Sequence, residues 1–463
     1  MSTIGILHYK VGGTDGVSLE IDKWKRVLEE MGHRVHLCGG DLGQVEGTLI
    51  EELYHHRPDV ERINRNTFVE LSDFDGVAEY RAEVERLAGA LERRLRDFVE
   101  QRAVDYLIPQ NVWSVALSLP AAVALARVVR DLQLPTLAHH HDFYWERTGG
   151  VALTCGAAIE IADKYLPPRD QRITHVVINS LAQRQLLERK GIEATVVPNV
   201  FDFGAPHVAP ERSAAAPSWQ PDAYNRDFRA RIGVRENDVL ILQATRVVRR
   251  KGIELAVDFV QALDSPKRRA RLRRSGLYDG RPFTDDSRIV LVLAGYTEDD
   301  PTGRYVELLK RKIERAGVQA RFIGDMVGGT RRTEGDKKTY SLWDTYVFAD
   351  FVTYPSLWEG WGNQLLEALR ARLPLMLFEY PVYRADIRER GLRVVSLGDE
   401  IQGRDDLGLV QVKQSAIEAA ADQAVELLTD AGLRRDTVAH NFQVGRQHYS
   451  LEALRGYLTR LMQ

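Results

Sequence analysis

The feature that most constrains this chain is an alternation, sustained along most of its length, of short apolar runs with longer helix-like stretches. Ile4-Gly5-Ile6-Leu7 reads as a strand, Leu19 to Met31 as a helix and Arg34 to Cys38 as a second strand, which together make a βαβ unit. Further strand-like runs stand at Asp105–Pro109, Pro135–Ala138, His175–Asn179 and Ala194–Pro198. The pattern resumes at Val239–Ala244, Ile289–Ala294, Ala320–Ile323, Phe351–Tyr354 and Leu375–Phe378. Apolar strands separated by helices pack into parallel sheets covered on both faces. Between the two series the proline-punctuated stretch Ala205 to Pro221 predicts connecting chain, with a domain junction near Asn199. The expected fold class is α/β with two parallel sheets.

Composition narrows the function by exclusion. The formal charge is −3, from 63 basic and 66 acidic residues, so the whole chain has no basic excess with which to grip nucleic acid. Two cysteines, Cys38 and Cys155, make no disulfide framework, and a reducing cytoplasmic setting is expected. The N-terminal residues predict no signal peptide, and no apolar run reaches the roughly 20 residues of a transmembrane helix, which leaves peripheral membrane contact and homo-oligomerisation open. The basic run Lys267 to Arg274 reads as a solvated face and receives no function.

Two clusters in the second half follow strand-like runs and precede helix-like ones, where open α/β sheets bind ligands. In Gln243 to Gly252, Arg246 offers a planar fork to phosphate oxygens and Lys251 a compact charge close to a helix start. In Tyr354 to Asn363, Gly360 and Gly362 permit close backbone approach, and amides near Gly362, Asn363 and Gln364 suit an anion. Glu359 in that loop and Glu367 two turns into the helix are carboxylates that can each accept from paired hydroxyls of a sugar or ribose. Read separately, the cations could be a solvated loop and the acids ordinary helix charges.

Together, Arg-x4-Lys after one strand and Glu-x7-Glu after a later one make a much narrower pattern, and it resembles the retaining glycosyltransferases of family four, the glycosyl transferases group 1. Gly12-Gly13, Val197-Pro198-Asn199, Phe322-Ile323-Gly324 and the run Pro355-Ser356-x-x-Glu359-Gly360-Trp361-Gly362 support the resemblance over almost the whole chain. It implies the GT-B fold, two facing Rossmann-like domains with an interdomain cleft. Residues 1–199 would form the acceptor-side domain, 200–435 the nucleotide-sugar domain, and 436–463 a helical segment packing back on the first. It also implies Arg246 and Lys251 as a diphosphate clamp, Glu359 as the donor-sugar contact and Glu367 as the ribose ligand. Gly13, Gly324, Gly360, Trp361, Gly362, Asn363 and Gln364 would line the donor.

The first half would supply the acceptor side. Three adjacent histidines follow the strand near Pro135, but neighbouring side chains of an extended segment point to opposite faces, so no metal site is expected. The family carries a histidine near the sugar's reacting end, and counting from Pro135 favours His141. The acceptor candidates are Gly12, Thr14, Asp15, Asp142 and Glu146. The implied reaction is metal-independent transfer of a hexosyl group, with retention, from a UDP- or GDP-linked co-substrate to a small polar acceptor. No other cofactor is expected. A binding-only sugar-nucleotide sensor and a GT-B epimerase are the competing readings. The chain departs from the family after the Glu-x7-Glu helix: Arg372-Leu373-Pro374 and Tyr380-Pro381-Val382-Tyr383 stand where many relatives show a Gly-x-Pro turn and a glycine pair. That departure leaves the donor's identity open.

Overall fold

The computed structural model describes residues 1–13, 15–146, 152–204, 220–296, 300 and 302–463. Thr14 and most of the connecting stretch from Ala205 to Pro221 lie outside them. The chain divides into two compact units, Met1–Val200 with Leu451–Gln463, and Phe201–Ser450.

The first unit holds strands β1 (Thr3–His8), β2 (Arg34–Gly39), β3 (Thr48–Leu49), β4 (Tyr106–Pro109), β5 (Thr136–His140), β6 (Ile173–Val177) and β7 (Ala194–Val196), in one parallel sheet ordered β3-β2-β1-β4-β5-β6-β7. Alternation along β1 sends Ile4 and Ile6 to one face and Leu7 to the other. The first face is covered by Ile21, Trp24 and Leu28 of helix Gly16–Glu30, and by Leu451, Leu454 and Leu458 of the last helix, Leu451–Leu461. Leu454 and Leu458 are wholly buried, and each contributes about 1.5–3 kcal/mol to holding that helix on this unit.

The second unit runs through β8 (Val239–Gln243), β9 (Ile289–Leu293), β10 (Gln319–Phe322), the short strands β11 (Val327–Gly328), β12 (Arg332–Glu334) and β13 (Lys337–Ser341), then β14 (Phe351–Tyr354), β15 (Leu375–Leu377), β16 (Val395–Ser396), and a hairpin of β17 (Gly403–Arg404) and β18 (Val410–Gln411). Its main sheet is parallel and ordered β10-β9-β8-β14-β15-β16. Every residue of β8, β9 and β14 is buried, as befits strands covered on both faces.

Two expectations need correction. The chain returns to the first unit after Ser450, not at residue 436. Helix Ala431–Tyr449 stays with the second unit, because Asn441 exchanges 2.8 Å hydrogen bonds with the Arg393 backbone and Arg372 lies 4.0 Å over the Phe442 ring. The basic run near Lys267 is not simply solvated: in helix Pro266–Ser275, Arg268 is buried and bonds Asp422 at 2.9 Å and Glu418 at 2.7 Å. Among the described residues no helix is long and apolar enough to cross a membrane.

Candidate active site

Numbered within its own unit, each sheet has the order 3-2-1-4-5-6, and the first unit adds a seventh strand. Connections leave such a sheet in opposite directions from strands 1 and 4, which opens a crevice at their carboxyl ends. In the second unit those strands are β8 and β14, and the loops after them are the two that carry the charged motifs.

The two loops are bound to each other. Thr353 Oγ1 donates to Gln243 Oε1 at 2.8 Å across the strand ends, and the Leu357 N–H donates to the Arg250 carbonyl at 2.8 Å. Gly252 has φ +57°, and a side chain there would overlap the Pro355 carbonyl, so glycine alone allows this approach. Lys251 Nζ donates to Glu359 Oε1, and Arg250 Nη1 to Glu359 Oε2 at 2.8 Å. Burial would raise the Glu359 carboxyl, but Lys251 and Arg250 outweigh it and hold it below the ordinary glutamate value. Lys251 is also buried and lies close enough to Arg250 and Arg246 for their charges to act on it. This is a surplus of cations around one carboxylate.

Further along, Gly362 has φ +132° and leads into helix Asn363–Arg370. Gln364 Nε2 reaches the Thr353 carbonyl at 3.4 Å, and Tyr346 Oη donates to Glu367 Oε2 at 2.6 Å. Gly324 packs on Gly295, whose own missing side chain makes room for the Thr245 carbonyl, so the loops after β8, β9 and β10 touch. They border a cavity of about 320 Å³ lined by Gly295, Tyr296, Lys310, Phe322, Gly324 and Asp325.

The first unit treats the equivalent position differently. Asn111, after β4, adopts φ +57°, which lets its Oδ1 accept the His141 N–H at 2.6 Å. His141 Nε2 faces Gln110 Oε1 at 3.0 Å, and His8 Nδ1 faces the Gln110 carbonyl at 2.7 Å. Burial, with His8 and Lys23 nearby, pushes the His141 imidazole down to about 3, so it is neutral and weakly basic. The three histidines alternate as an extended segment requires: the rings of His139 and His141 pack at 4.3 Å on one face, and His140 turns to His175 at 3.0 Å on the other.

Several acceptor candidates have structural duties. Asp15 caps helix Gly16–Glu30, accepting from Val17 N at 3.1 Å, Ser18 N at 3.0 Å and Ser18 Oγ at 2.7 Å. Gly12 faces the chain, where a side chain would strike Val45 and the Leu42 carbonyl; at Gly13 a Cβ would lie 2.9 Å from Asp15 Oδ2. Asp142 is half-buried, and its N–H reaches Asn111 Oδ1 at 3.4 Å. Glu146 accepts from the Phe143 N–H at 2.7 Å, and burial beside Asp142 pushes its carboxyl up to about 7.

Sequence reading missed His8, Gln110, Asn111, Arg250, Tyr346, Tyr354 and Tyr380. Arg250 was hidden within a run of three cations, while Asn111 carried one usable signal, a residue tolerant of the left-handed region just after a strand.

Two Rossmann-like units, the second with cations and carboxylates at its switch point, are the plan of the GT-B glycosyltransferases. A glycosyltransferase from Rickettsia africae shares the fold, with a TM-score of 0.57 at 13% identity, covering 99% of this chain and 97% of that one. The family model for glycosyl transferases group 1 matches residues 225–395. The mannosylglucosylglycerate synthase of Thermotoga maritima is 38% identical over 461 residues, 99% of each chain. That of Petrotoga mobilis is 37% identical over 433 residues, 93% of this chain and 95% of that one. The chain belongs to the glycosyl transferases group 1, family four, and is a glycosyltransferase.

Proposed function

We propose that this enzyme moves a mannosyl group from a UDP- or GDP-linked sugar to a hydroxyl of glucosylglycerate, with retention and without a metal. The acceptor and sugar follow from the product named for its two relatives. The observation that carries the donor reading is the convergence of Lys251 and Arg250 on Glu359 beside Arg246, at the switch point of the second sheet. A departing diphosphate needs fixed positive charge, and preorganised cations with a helix N-terminus supply it without reorganisation.

In this mechanism Arg246, Lys251 and the amides from Gly362 to Gln364 hold the diphosphate. Glu359 meets the sugar, Glu367 the ribose. The bond from the anomeric carbon to the phosphate oxygen breaks as the acceptor oxygen bonds the same carbon, on the same face. The acceptor's proton passes to the departing phosphate oxygen. His141 is a poor base at about 3 and serves as a neutral hydrogen-bonding group near the sugar. A cytoplasmic setting accords with two free thiols.

The test is a panel of UDP-glucose, GDP-glucose, GDP-mannose and ADP-glucose with glucosylglycerate and related acceptors, in EDTA, read by mass and by the anomeric coupling of the product. One donor should give an α-linked product in EDTA. A β-linked product would sink retention, and activity restored only by added divalent cation would sink metal independence. Donor binding without transfer to any acceptor would favour the sensor reading.

A further inference from the structure

The loop from Pro355 to Gly362 is held from beneath as well as from the side. Tyr380, wholly buried, donates from Oη to the Trp361 carbonyl at 2.7 Å. A Cβ at Gly362 would overlap that same Tyr380 Oη and lie 3.0 Å from Tyr354 Oη, so two phenol oxygens sit directly under the Gly362 α-carbon. The two rings meet edge to face at 5.8 Å and 85°, and the Tyr354 hydroxyl bonds Glu359. Tyr380 stands three residues after β15, and this short connection places a buried phenol under the loop. Burial keeps both phenols protonated, and so donors, across the working pH range.

We propose that Tyr380 is a positioning residue for transfer: its hydroxyl fixes the Trp361–Gly362 peptide, and with it the amides and the Glu359 carboxylate that face the donor. The proposal rests on the reading of this loop as the donor wall. A side chain that only filled space would be replaceable by phenylalanine, whereas one that aims a peptide through a hydrogen bond would not.

The experiment compares Tyr380→Phe, Tyr383→Phe and Lys251→Ala in the full chain, measuring thermal midpoint, donor KM and acceptor KM. Tyr383 is the neighbouring buried phenol, its ring 5.9 Å from Tyr380. Tyr380→Phe should raise the donor KM about five- to tenfold, as loss of one neutral hydrogen bond allows, with acceptor KM and midpoint close to wild type. Tyr383→Phe should behave as wild type. A wild-type donor KM in Tyr380→Phe, while Lys251→Ala raises the donor KM, would overturn the positioning role alone. Equal rises in both KM values with a large fall in midpoint would also overturn it, by showing a purely structural side chain. Undiminished donor binding in Lys251→Ala would overturn the donor reading and this proposal with it.

Discussion

The two units share a strand order and place loops at the same topological position, yet they fill it with opposite chemistry. At the end of β8 and β14 stand Lys251 and Glu359, both buried, and Arg250 at their solvent side, an ionic cluster with cations in excess. At the end of β1, β4 and β5 stand His8, Gln110, Asn111 and His141, joined by hydrogen bonds, with imidazoles that burial keeps neutral. The contrast teaches that the Rossmann plan supplies a place and leaves its character to the loops. A diphosphate calls for the first environment. A sugar hydroxyl is served by the second, where a fixed charge would be costly to bury.

The sharpest way to break this comparison is to remove the charge. Lys251→Ala should lower kcat about 10²–10³-fold, the usual cost of one preorganised electrostatic contact. It should also destabilise the chain by about 3 kcal/mol, since Glu359 stays buried and keeps Arg250 but loses Lys251. Steady-state kinetics and urea unfolding check both numbers. An active, equally stable variant would mean that the ionic cluster is incidental.

Acid should separate the units next. His55 and His175 are pushed to about 4 and His141 to about 3, and His139 and His140 also fall well below 6.5, chiefly by burial. The folded state refuses protons that the unfolded state takes up below 6.5. The stability these groups confer is therefore complete above that value and lost as pH falls towards their folded values, at about 1.4 kcal/mol per pH unit for each histidine. Glu20 and Glu146, whose carboxyls are raised by burial, act in the opposite sense. Glu359 in the second unit is depressed, so its contribution is lost only below the ordinary 4.5. Hydrogen exchange at pH 5 should show the first unit opening before the second; the reverse order would break the comparison.

The smallest effect concerns Asn111. Asn111→Gly keeps the left-handed backbone but removes the Oδ1 that accepts from the His141 N–H, the Asp142 N–H and Ser114 Oγ, which should cost about 1–2 kcal/mol in urea unfolding. Asn111→Ala adds strain of about 1 kcal/mol. Equal stability of the two variants would show that the backbone conformation carries no strain.

Much of this fold was legible because it is written in consecutive residues. Phe351–Tyr354 is the strand that the apolar run predicts, and other strands differ from expectation by a few residues at their ends. The motif loops were legible through spacing, Arg246 to Lys251 and Glu359 to Glu367. The function of neighbours within those motifs was not. Arg250 looks like Arg249 in sequence, yet one reaches Glu359 and the other lies 5.5 Å over the Tyr305 ring. Asp15 is an acceptor candidate by its place in the first loop, and the structure gives its carboxylate a further task that the sequence reading did not include, capping the next helix.

The sequence alone determined the alternation of strand and helix, the parallel sheets that follow from it, and the family pattern at the ends of β8 and β14. Only the tertiary structure decided that Lys251 meets Glu359 across 108 residues, that Tyr380 lies under Gly362, and that the imidazoles at the first unit's switch point are neutral. The physical reason is range. Backbone periodicity is set by near neighbours, whereas the charge state and hydrogen bonding of a buried side chain depend on groups brought to it from distant parts of the chain.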